Sequence, residues 1–180
     1  MAELARLSFE VSSLCGPLDE AAFNWQPGGG AAWSVGQCVE HLVKANRVYL
    51  DALEEAAGRA RRESKFGDGG LRPGRLGEWF LRSQEPPVRR RYKAAKRVLP
   101  ARRCLKTATL VAFAGEQQRL IELVRSTADL DCDGVKFQNP LAYGLRVFNV
   151  STGLLVVAAH QRRHLWQARN VVGLPDFPKG

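Results

Sequence analysis

Four stretches of this chain repeat apolar residues every three and four positions, and almost nothing alternates apolar with polar long enough to read as a strand. That periodicity predicts an all-α chain. The first stretch runs from Ala2 to Leu14, with Leu4, Leu7, Val11 and Leu14 in register, and stops at Gly16-Pro17. Asp19 to Trp25 adds a short turn of helix. The second opens with Ser34-Val35-Gly36-Gln37, a capping-box pattern in which the Ser and Gln side chains satisfy each other's backbone N–H groups. Val35, Cys38, Leu42, Ala45, Tyr49 and Ala52 then form an apolar stripe that ends near Ala60. The third covers Thr107 to Ser126, with Leu110, Phe113, Ala114, Gln117, Leu120, Ile121 and Val124 on one side. The fourth is capped by Asn149 and stopped by Gly173 and Pro175.

Two long connections join these helices, 64–106 and 129–148, so they need not follow an up-down-up-down order. The first is rich in Gly and Pro, with a short helix expected around Leu76 to Ser83. A length of 180 residues with 45% hydrophobic content suits one domain over 1–180 with a sizeable core. The longest apolar run, Val147 to Ala159, is interrupted by Asn149, Ser151 and Thr152 and is too short to span a bilayer. Met1-Ala2-Glu3-Leu4 lacks a basic region followed by an apolar core, so a cytoplasmic location is expected, with no membrane partner. Cys15, Cys38, Cys104 and Cys132 form no CxxC pair and read as buried thiols. Trp25, Trp33, Trp79 and Trp166 read as packing residues, with Trp166 also a candidate for a self-association face.

Only three histidines are present, and two of them form His160-Gln161-Arg162-Arg163-His164. Residues four apart lie on one helical face, close enough for two imidazoles to bind one ion. His160 and His164 fall on a stripe with Gly153, Val157, Ala168 and Val171, while Arg162, Arg163 and Arg169 turn mostly elsewhere. His41 sits three residues after Cys38 and four before Ala45, on the inward face of the second helix. Three imidazoles converging inside a helical domain would leave a coordination position for water or substrate, as catalytic metal sites do. Zinc, nickel, manganese and iron all accept such ligands. A histidine on an apolar face is also an ordinary core residue, and that reading stands beside the metal one. Cys38 is a candidate fourth ligand, and Gln37, Gln161 and Gln167 are candidates for orienting an imidazole. No residue earns a catalytic assignment.

From Arg82 to Lys106 the chain carries Arg82, Arg89, Arg90, Arg91, Lys93, Lys96, Arg97, Arg102, Arg103 and Lys106 against one acid, Glu85, which accounts for the whole +9 net charge. Such a run is first a solvated loop, second a guide for an anionic substrate, and third a phosphate contact for nucleic acid. Tyr92 is its only aromatic, which disfavours base stacking and nucleic acid as a partner.

Trp25-Gln26-Pro27, then Trp33 through Leu42, then His160 to His164 followed by Leu165 and Gln167, resembles the DinB-like superfamily of small metal-binding bundles. The match runs in order along nearly the whole chain. The resemblance implies a four-helix bundle that holds one divalent metal ion through three histidines, which map onto His41, His160 and His164. It also implies a frequent homodimer and, among characterised relatives, thiol-dependent S-transferases and a mycothiol-dependent isomerase. Relatives often carry acids where this chain has Gln37 and Gln161. The resulting expectation is a metal-dependent enzyme of the thiol S-transferase or hydrolase type. Its partner would be a small-molecule substrate, with a low-molecular-weight thiol among the reactants. The alternative is a non-catalytic module that binds an anionic ligand or nucleic acid through 82–106.

Overall fold

The computed structural model describes residues 1–88, 93–141 and 147–178. Among them the regular structure is helical: α1 (Ala2–Cys15), α2 (Glu20–Asn24), α3 (Val35–Arg62), α4 (Gly74–Gln84), α5 (Lys106–Ser126) and α6 (Val150–Val172). Among the described residues, extended pairing is confined to the isolated bridges Phe66–Leu130 and Lys136–Asn149. None of the described helices is long and apolar enough to cross a membrane.

The helix starts follow from their caps. Asp19 accepts a hydrogen bond from the Ala22 N–H, and Asn149 accepts one from the Thr152 N–H at 2.8 Å. At Ser34 both halves of the capping box form: Ser34 Oγ accepts from Gln37 N at 3.0 Å, and Gln37 Oε1 accepts from Ser34 N at 3.1 Å.

The four long helices pack as a closed ring, α3 on α6, α6 on α1, α1 on α5 and α5 on α3, with α4 laid on the outside of α6. A polar bridge crosses the ring, where Gln161 donates to Gln117 at 2.6 Å and Gln117 reaches Ser8 Oγ on α1. The two long connections are stitched together, with Gly67 N donating to Asp129 O and Asp131 N to Lys65 O. Gly69 is required there, because it holds φ +65° and a Cβ would meet the Ala128 carbonyl.

Two sequence expectations need correction. On α5, Ala114 is exposed, while Glu116 and Leu123 are buried. Glu116 is held by Arg47 at 2.8 Å and by Arg119 at 3.6 Å, so an ion network fills a position that hydrophobic periodicity cannot register. Arg163, expected to turn away from the histidine stripe, is buried and donates to the Ser83 carbonyl on α4. The cause is α4, which covers the face of α6 that would otherwise meet water.

Gly153 sets how closely α6 approaches α3. A Cβ there would lie 2.5 Å from Leu53 Cδ2 and 2.9 Å from the Phe137 ring. Gly153→Ala is therefore expected to lower unfolding free energy by about 1–2 kcal/mol, overpacking outweighing the gain in helix propensity. Gly115→Ala, where a Cβ meets nothing within 4 Å, is expected to raise it by about 0.5–1 kcal/mol. Urea unfolding of the two variants measures both.

Candidate metal centre

The contact of α3 with α6 brings the three histidines together. His41 Nε2 lies 3.3 Å from His160 Nε2, and His164 Nε2 lies 3.1 Å from the same atom. These three residues form the one group of His, Cys, Asp or Glu among the described residues whose donor atoms all lie within 4.8 Å of one another. The structure thus brings every histidine singled out in the sequence to one point.

Outer hydrogen bonds orient two of the rings. His41 Nδ1 lies 2.7 Å from the Val98 carbonyl oxygen. A carbonyl only accepts, so the neutral ring carries its proton on Nδ1 and leaves a lone pair on Nε2. His164 Nδ1 donates likewise to Gln167 Oε1 at 3.0 Å. Of the three converging Nε2 atoms, only that of His160 can then carry a proton while the rings are neutral. Burial keeps them neutral. It pushes the His160 pKa down to about 3, with added repulsion from His41 and Arg163. His164 is held well below the usual histidine range by burial and by the neighbouring His160 and His41. His41 is lowered chiefly by burial, against the opposing pull of the Val98 hydrogen bond.

One proton on His160 Nε2 cannot fully satisfy the two lone pairs that face it, whereas a cation at their centre would engage all three nitrogens. An ion about 2.0–2.1 Å from each nitrogen in tetrahedral geometry would separate the nitrogens by roughly 3.3 Å. The Nε2 separations from His160 to His41 and His164, 3.3 and 3.1 Å, are close to that value. The donor set and the outer acceptors therefore suit a divalent ion.

Trp33 covers this cluster. Its ring stacks at 27° on His164, centroids 5.8 Å apart, and lies 4.9 Å from the His41 ring. On another side, His160 lines a mostly apolar cavity of about 210 Å³ shared with Asn46 and Tyr49 of α3, Phe80 and Gln84 of α4, and Val157 of α6. No described residue lining it is a carboxylate.

The remaining candidates separate clearly. Gln167 does orient a histidine. Gln37 is spent on the capping box and on bonds from Gln26 and to the Ala101 carbonyl, and Gln161 joins the polar bridge to Gln117. Cys38 lies outside the donor group, and burial raises its pKa, as it does for Cys15 and Cys104, which are pushed up to about 12. Of the basic run, Arg89, Arg90, Arg91 and Tyr92 lie outside the described residues. The stretch that follows is docked onto α3: Lys44 Nζ donates to Leu99 O at 2.9 Å, Ala101 N to Glu40, and Val98 supplies the acceptor for His41. Sequence reasoning missed Val98, since a main-chain carbonyl leaves no trace in residue type. Lys93, Lys96, Arg97, Arg102 and Arg103 remain exposed along it.

A helical ring with three convergent imidazoles, two of them fixed by outer acceptors and one opening onto a cavity, defines the class of protein at hand: a small helical domain with a histidine cluster fit for a metal. The DinB superfamily model matches residues 4–168, and the chain belongs to that superfamily. Comparisons with curated proteins and with solved structures returned no match.

The lowered histidine pKa values fix a pH response for the metal-free protein. Unfolded histidine titrates near 6.5, whereas the folded rings refuse protons until far lower pH. The unfolded state thus binds more protons below about pH 6.5, and stability present above that pH is lost as pH falls toward the folded values. The expected slope is up to about 1.4 kcal/mol per pH unit for each such histidine. Urea midpoints of chelator-treated protein at pH 7 and 5 should differ, and His160→Gln should reduce the difference; an unchanged difference would contradict the assigned protonation.

Proposed function

We propose that the protein is a divalent-metal-dependent enzyme of the thiol S-transferase or hydrolase type, with His41, His160 and His164 as the metal ligands. The observation that carries this reading is the approach of His41 and His164 Nε2 to His160 Nε2, at 3.3 and 3.1 Å, beside a cavity that His160 lines. Superfamily membership supports it.

Each part of the chain has a role in this reading. Val98 and Gln167 hold the His41 and His164 rings in the tautomer that turns Nε2 inward. Trp33 and the buried flank of α3 exclude water from the far side of the cluster. The cavity beside His160 receives the substrate. A bound divalent ion would supply Lewis acidity at its open position, lowering the pKa of a thiol or water to give a nucleophile at neutral pH. The described cavity wall has no carboxylate that could act as a general base, so activation through the ion is the economical route. The buried thiols of the chain itself are unsuited to the nucleophile's role, because burial keeps them protonated. The thiol in this reading is a separate small molecule.

Elemental analysis of protein purified without a metal-binding tag tests the reading. About one divalent ion per chain is expected, absent from His41→Ala, together with turnover of an activated ester or an electrophile-plus-thiol pair that chelator abolishes. Metal-free native protein that stays so after reconstitution with zinc, nickel and manganese would refute it. Salt-sensitive oligonucleotide binding untouched by chelator would instead favour a module acting through its basic segment. Gln167→Leu, which removes the acceptor from His164 Nδ1, is expected to weaken metal affinity by about 10–100-fold, measured by competition with a chromogenic chelator.

A further inference from the structure

The stretch that lies along α3 has an outer side for which the metal reading has no use. Its inner side is spent: Val98 and Cys104 are buried, and the main chain between them bonds to Lys44, Glu40 and Gln37. Lys96, Arg97, Arg102 and Arg103 stand exposed along the same stretch. Beside them are two large apolar side chains in water, Leu99 at 44% exposure and Leu105 at 70%. These four cations differ from those on the helices. Arg47, Arg61, Arg119, Arg162 and Arg169 each pair with a carboxylate from another part of the chain. The described residues include every Asp and Glu of the sequence, and among them none pairs with Lys96, Arg97, Arg102 or Arg103.

Unneutralised charges held in one short stretch raise the local positive potential, and an external anion lowers it. Main-chain bonds to α3 fix the stretch in place, so little ordering cost opposes binding. The two leucines decide which anion. A nucleic acid rewards the cations through its phosphates and aromatic side chains through its bases, but it gives aliphatic side chains nothing comparable. An anionic bilayer rewards both, because cations meet its head groups while adjacent aliphatic side chains enter the acyl boundary. Such contact lies in the plane of the interface and needs no spanning helix. We infer that residues 96–105 form a docking surface for an anionic lipid bilayer, with Lys96, Arg97, Arg102 and Arg103 on the head-group phosphates and Leu99 and Leu105 in the interface. The surface stands apart from the proposed reaction and needs no bound ion.

Co-sedimentation of the full chain with vesicles tests the inference, comparing equal parts of phosphatidylglycerol and phosphatidylcholine with phosphatidylcholine alone. Binding to the anionic vesicles is expected to be at least about tenfold tighter, the difference shrinking as salt rises. Each cation at such a surface contributes about fivefold, so Arg102→Gln combined with Arg103→Gln should weaken binding about 25-fold. Arg125→Gln is the matched control for net charge. It removes an exposed cation at the other end of α5, roughly 30 Å along the helix from Leu105, and should change binding less than about twofold. Leu105→Gln, at a position already in water, should weaken vesicle binding about fivefold and leave binding of a single-stranded oligonucleotide unchanged. Equal binding to the two vesicle types, binding to neither, a loss in Arg125→Gln as large as in the double variant, or vesicle binding indifferent to Leu105→Gln would overturn the inference. An oligonucleotide that binds more tightly than the anionic vesicles and displaces them would overturn it in favour of nucleic acid.

Discussion

The close approach of α6 to α3 is the contact on which the rest depends. Gly153 lets Leu53 and Phe137 sit where a side chain would stand, and from there the two helices run side by side to the histidines. Position 160 lies seven residues after Gly153, two turns along and on nearly the same face. A displacement of α6 at Gly153 would be carried along a rigid helix to His160 and His164. The separations of about 3 Å between imidazole nitrogens are therefore set by packing in the apolar core, two turns from the chemistry.

A second constraint comes from the opposite direction. The stretch 96–104 carries Lys96, Arg97, Arg102 and Arg103, yet it lies along α3 through bonds to Lys44, Glu40, Gln37 and His41. Asn24 secures its end, donating to the Cys104 carbonyl at 2.9 Å and accepting from the Cys104 N–H at 2.7 Å. The Val98 carbonyl is thereby fixed on His41 Nδ1. Cations that look like a binding surface in one dimension are thus the outer side of a strap whose inner side orients the cluster.

These two constraints explain what could be read from the sequence. The long helices were legible because each declares itself locally: Ser34 and Gln37 form the capping box their spacing predicts, Asn149 caps α6, and Gly16 and Gly173 follow the helix ends. The histidine cluster was legible because a four-residue spacing fixes a common face and only one further histidine exists to meet it. The burial of Arg163 and Glu116 is not legible in the sequence because their partners come from elsewhere in the chain. Arg163 meets the end of α4, and Glu116 meets Arg47 of α3. Val98 was invisible for a different reason: its contribution is a carbonyl oriented by tertiary docking. Trp33 was assigned to packing, and the structure specifies what it packs on, the rings of His41 and His164.

The buried polar groups divide into two kinds, and the division locates function. The Gln161–Gln117 bridge and the Glu116–Arg47 pair tie helices together, and each engages a partner within the protein. The inward Nε2 atoms of His41 and His164 behave differently: their rings make good outer hydrogen bonds and turn two lone pairs onto the single Nε2 of His160, whose one proton cannot fully serve both. Packing two hydrophobic side chains there would be less costly for a protein whose only requirement was stability. A fold that keeps such an arrangement two turns from a tight glycine contact, covers it with Trp33 and opens it to a cavity at His160 gives up stability at one point. That cost is consistent with a site built to be completed by a bound ion, and it is what sets these histidines apart from satisfied core residues.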